Sequence, residues 1–193
     1  RPPVGGAPLP QRLLFRLILG FACRRDPIDI LSRGFFRRTV HRFGNLLAGI
    51  TYLAGTGTLT PLGRTKRVIL GEVRRQAPTA DPMAPIADGA LTRYFVGHLS
   101  SRAVFNPQFE LRAFLPAIGL LLRQYPMIML FARAACRSRE GETLERDDYT
   151  SAIRSADRNF GRISWDRGLV GPLRGALLTD FSASLALVPW CAV

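Results

Sequence analysis

Lysine is almost missing from this chain: of its 27 basic residues only Lys66 is a lysine, and the rest are arginine. Together with abundant Ala, Gly and Pro, this is what a GC-rich coding region produces without selection for binding. Cysteine is scarce as well. Cys23, Cys136 and Cys191 stand far apart, with no CxxC pair and no histidine at ligand spacing, which excludes a locally built zinc site and gives no disulfide framework. An odd count fits a reducing compartment, and a cytoplasmic location is expected. His41 has no second histidine or carboxylate three or four residues on, so it reads as a surface or packing residue. No GxSxG, HExxH, or GxGxxG after a strand occurs, nor any Cys-His pair placed for nucleophilic attack. The glycine-containing stretch at 55–63, GTGTLTPLG, lacks the GxxxxGK[ST] order of a phosphate cradle. Spacing therefore assigns no catalytic and no metal-binding residue, although groups assembled from distant positions are invisible to it. The first methionine is Met83, so Arg1 is not expected to be a translation start, and an upstream segment is expected.

What is present is a globular pattern. At 193 residues, 47% of them hydrophobic and 21% charged, the chain can bury roughly 70% of the surface its unfolded form exposes. The expected fold is all-α, a single compact domain of about six to eight helices. The net charge of +13 is uneven. Residues 1–78 hold 14 Lys and Arg against Asp26, Asp29 and Glu72, whereas residues 79–193 hold 13 against 11 acidic groups.

Residues 1–10, RPPVGGAPLP, read as a linker or frayed end, with the helical domain over 11–193. From Gln11 to Cys23, Leu13, Leu14, Leu17, Ile18 and Phe21 recur at helical spacing while Arg12 and Arg16 share another face. A signal peptide competes for this segment, but Arg16 interrupts its apolar run and Arg24-Arg25 stand where small residues would mark cleavage. Asp26-Pro27 starts a long helical stretch expected to end near Gly55 and Gly57. Arg24, Arg25, Arg33, Arg37, Arg38 and Arg42 lie on or beside it, forming a candidate anion-binding patch for nucleic acid or an acidic lipid surface. No aromatic stacking platform accompanies these arginines, which favours a solvated face. A short helix is expected over 65–76. QAPTADPMAPIADG concentrates Pro, Ala and Asp and places a sub-boundary at 77–88.

Asp88 is expected to cap a helix striped by Leu91, Phe95, Leu99 and Val104, with Arg93, His98 and Arg102 off the stripe. The most hydrophobic segment follows, with Pro116 and Pro126 expected to kink or divide it into a core helix pair. Arg123, Gln124 and Arg133 argue against its crossing a membrane, since a central arginine costs roughly 2.5–3.5 kcal/mol on insertion scales. Tyr125, Met127, Met129 and Phe131 read as core filling. In the next helix Tyr149, Ala152, Ile153, Ala156 and Phe160 share one face behind an acidic first turn of Glu145, Asp147 and Asp148. Asp148 and Asp157, about two and a half turns apart, read as capping and surface groups. A last helix is expected over 173–188.

LTRYFVGHLSSRAVF, LPAIGLLLRQYPMIMLFARAACRSREG and LERDDYTSAIRSADRNFG resemble, in this order, the C-terminal helical region of cysteine-cluster proteins of the kind that includes flagellin lysine-N-methylases. The resemblance lies in an Arg-Tyr helix, a long apolar segment ending Ala-Arg-Ala, an acidic helix start and a closing Asp-Arg-Asn-Phe-Gly. It implies a helical scaffold or substrate-contact region, a protein substrate such as flagellin, and lysine N-methylation by the full-length parent. The family's cysteine cluster, and the metal or iron-sulfur centre it implies, have no counterpart in this chain; either they lie upstream of Arg1, which the late first methionine makes the easier explanation, or this relative has lost them. Two other readings stand beside it: a non-enzymatic module binding an anionic partner, and a helical interaction protein with no ligand.

Overall fold

The computed structural model describes residues 9–22, 47, 49–75, 84–100 and 114–160, and these are mostly helical. Helix α1 spans Leu9–Ala22, α2 covers 49–53, and α3 covers Leu70–Arg75. Helices α4, α5 and α6 span Ala84–Ser100, Phe114–Ser138 and Arg146–Phe160. Between α2 and α3 lies a short antiparallel pair, β1 Thr58–Leu59 and β2 Val68–Ile69, with Leu59 opposite Val68.

That pair departs from the all-helical expectation, for the segment 65–76 opens as a strand before turning into α3. Val68 and Ile69 are β-branched and suit a pleated backbone. Leu59 and Val68, facing each other across the ladder, are both buried. Period-3.6 reading misses two residues of strand because a ladder this short carries no alternation to detect.

Helix α5 is the axis of the fold and packs most extensively on α6. From Pro126 to Cys136 nearly every side chain is buried, as expected for a helix covered on all sides. The expected division at prolines does not occur, and α5 is one continuous helix. Pro116 stands in its first turn, where the missing N–H would have had no intrahelical partner. Pro126 removes the bond to the Leu122 carbonyl, a defect worth about 3 kcal/mol. Burying Met127, Ile128, Leu130 and Phe131, at about 1.5–3 kcal/mol each, outweighs it.

Tyr149, Ala152 and Ala156 of α6 are buried against α5, with Ile153 packed at the edge of the core, so the expected face is present. Helix α4 begins earlier than expected and Asp88 lies inside it, not at its cap. Its packed face is also rotated. Leu91 is buried, Tyr94, Phe95 and His98 are half-buried, and Leu99 is exposed. The aromatic side chains pull the face round, because Tyr94 packs edge-on against both Phe95 and His98 while Phe95 meets Tyr125. On α1, Phe15 and Leu19 are buried whereas Leu13 is exposed. Tyr52 of α2 fits between Gly20 and Gly57, where an added Cβ would press on its ring from either side, and its hydroxyl donates to the Thr58 carbonyl.

Two helices end in the same way. After α2 the Gly55 N–H donates to Tyr52 and the Thr56 N–H to Thr51; after α5 the Glu140 N–H donates to Arg137 and the Gly141 N–H to Cys136. Both are paired 5→2 and 6→1 bonds around a left-handed residue. Gly55 takes that conformation at φ 81°, but at the second end it falls on Glu140 at φ 62°, where a Cβ is unfavourable. The Lys66–Glu140 ion pair is exposed and offsets little of this. Glu140→Gly is therefore expected to stabilise the fold by about 0.5–1 kcal/mol, read as a higher urea midpoint with an unchanged m-value.

Candidate functional site

Two polar constellations stand out among the described residues. The first is built on Asp148, whose carboxylate is fully buried. Oδ2 accepts from the Glu145 N–H at 3.0 Å, closing the start of α6 as a capping box does. The same oxygen accepts from Arg139 Nη2 at 3.0 Å and Nε at 3.2 Å, and Arg64 Nη2 reaches Oδ1 at 3.3 Å. Arg139 also holds Glu145 at 2.9 Å and donates to the Thr143 carbonyl. The hydrogen bonds from Arg139 to Asp148 push the guanidinium pKa further up. The capping role expected of Asp148 is present; the surface role is not, whereas Asp157 is exposed. Sequence spacing missed this because Arg64 comes from the distant hairpin loop. One local signal was available, in the Arg139-to-Asp148 loop that a buried capping carboxylate closes.

Cys136 lies against this node, 6% exposed, with Sγ 3.2 Å from both the Gly141 and Thr143 carbonyls. Burial, then the Asp148 charge, raises its thiol pKa, against a smaller lowering by Arg139. The thiol is held neutral, the opposite of an activated nucleophile. Tyr94 donates to the buried Gln124 Oε1 at 2.5 Å, and burial followed by Asp157 raises its phenol above the usual range.

The second constellation is a cleft of about 610 Å³ where α1, the end of α2 and the β2–α3 junction meet, lined by Arg16, Gly55, Thr56, Ile69, Gly71 and Glu72 among others. Arg16 Nη1 donates to the Leu53 carbonyl at 2.8 Å, so this arginine is directed by the end of α2. Its Nε is buried and has no acceptor among the described residues. The Gly71 N–H donates to the Gly55 carbonyl, and a Cβ on Gly71 would sit 3.2 Å from that oxygen. This close approach keeps the cleft's floor tight.

The arginines of the candidate anion-binding patch, Arg24, Arg25, Arg33, Arg37, Arg38 and Arg42, lie outside the described residues, as do His41, Val104 and the expected last helix over 173–188. Among the described residues no group of three or more His, Cys, Asp or Glu side chains is placed to hold a metal ion, and no helix is long and apolar enough to cross a membrane. Comparison with family models, curated proteins and solved structures gives no match.

The two carboxylates of α6 should respond differently to substitution. Asp148→Ala should cost about 3 kcal/mol, the low end for a broken buried pair because Arg139 and Arg64 keep contact with solvent. Asp157→Asn should change stability by no more than about 0.5 kcal/mol, both read by equilibrium denaturation. The raised Cys136 pKa also sets a sign. Its contribution is complete below the unfolded thiol's pKa of about 8.5 and is lost as pH rises through the folded value. Unfolding free energy should therefore fall above about pH 8.5, and less steeply in Cys136→Ala.

Proposed function

We propose that the chain is the helical C-terminal portion of a flagellin lysine-N-methylase-like cysteine-cluster protein, a single compact cytoplasmic domain acting as scaffold and substrate-contact region. The observation that carries this reading is how the polar residues of the resembling stretches are used. Tyr94 and Gln124 tie α4 to α5, and Arg139 with Asp148 ties α5 to α6. These groups hold helices in register, which is scaffold work. On this reading the cysteine cluster, and any metal or iron-sulfur centre, belong to sequence outside this chain, and no step of methyl transfer is assigned to a residue here.

Calorimetric titration of the chain with purified flagellin tests the proposal. Saturable binding that survives Arg24→Gln and Arg25→Gln supports a substrate contact, and absence of binding overturns it. The uneven charge favours a second reading, an anion-binding module in which Arg24, Arg25, Arg33, Arg37, Arg38 and Arg42 engage nucleic acid or an acidic lipid surface. Affinity for duplex DNA or for phosphatidylserine vesicles should then fall steeply with salt, with log–log slopes for DNA of about −0.9 per phosphate neutralised. Absence of binding at low salt removes this reading.

A further inference from the structure

The cleft at Arg16 combines a half-satisfied cation, an exposed carboxylate and an apolar wall. Arg16 uses Nη1 on the Leu53 carbonyl, which leaves the edge formed by Nε and Nη2, and Nε is the buried donor lacking an acceptor among the described residues. Nε is closed to a water-sized atom, so a ligand in the cleft meets Arg16, which lines it, as a positive charge and not through a two-pronged contact at Nε. Glu72 lines the same cleft and is exposed. Ile69, 40% exposed, supplies apolar surface beside it. The backbone N–H groups of Gly55, Thr56, Leu70 and Gly71 are already committed to chain carbonyls, so recognition of charge falls to Arg16 and Glu72.

An anion would meet repulsion from Glu72 and a cation repulsion from Arg16; a molecule carrying both charges satisfies both. The volume is in the range of small-molecule sites. We propose that this cleft binds a small zwitterion of amino-acid type, its carboxylate on Arg16, its ammonium on Glu72 and its apolar body against Ile69. The inference stands independently of the scaffold reading.

Amide NMR titration of the whole chain with three probes tests it: L-leucine, 4-methylpentanoate, which lacks the ammonium, and isopentylamine, which lacks the carboxylate. Leucine should shift the Gly55, Thr56, Gly71 and Glu72 amides saturably, and each truncated probe should bind about tenfold or more weakly. Arg16→Gln should weaken leucine and 4-methylpentanoate but not isopentylamine. Glu72→Gln, at an exposed position where folding is not at stake, should weaken leucine and isopentylamine but not 4-methylpentanoate. No saturable shift with leucine, equal affinity for the three probes, or leucine binding unaffected by Glu72→Gln would each overturn the proposal.

Discussion

The fold turns on one buried carboxylate. Asp148 accepts hydrogen bonds from Glu145, the residue just before its own helix, from Arg139 at the end of α5 and from Arg64 in the loop between β1 and β2. Three separate chain segments thereby share one charge. A carboxylate removed from water needs this density of donors, and the need fixes how the segments approach. Beside it, Ser151 donates to the Leu62 carbonyl at 2.6 Å, and the Leu62 N–H donates to Ser155 Oγ at 2.8 Å. The loop is thus fastened to α6 at two neighbouring points, and the small sheet is carried on the α5–α6 pair.

The same node explains why α5 ends where it does. Arg139 reaches Asp148 only if the chain turns sharply after Ser138, and the turn forces Glu140 into the left-handed region. Gly141 comes next, and a Cβ there would overlap the Arg139 guanidinium. Glycine therefore stands at the position where space for Arg139 is critical, while Glu140 accepts the strained backbone. At the end of α2 glycine occupies the left-handed position itself, Gly55 at φ 81°.

How much of this was legible in the sequence differs by element. The α6 face was readable because Tyr149, Ala152, Ile153 and Ala156 repeat at helical spacing and the acidic first turn marks the start. The buried stretch of α5 was readable as apolar, but its continuity through Pro126 was not, since packing on every side outweighs a local defect that spacing rules treat as a break. On α4, rotation of the face onto Tyr94 and Phe95 follows their contacts with Gln124 and Tyr125 of α5, which no single-helix pattern contains. The Asp148 node and the Arg16 cleft were illegible for a common reason: each joins residues from segments far apart in sequence, Arg64 with Asp148 in one and Arg16 with Glu72 in the other. Charge asymmetry pointed instead to the arginines of 24–42, outside the described residues.

The most direct test of Asp148 as the organising charge is a double-mutant cycle between Arg64→Met and Asp148→Asn, with unfolding free energies measured for the wild type, both single variants and the double variant. If Asp148 fastens the loop to α6, the two substitutions should couple by about 1 kcal/mol or more. Additivity within about 0.3 kcal/mol would contradict that role.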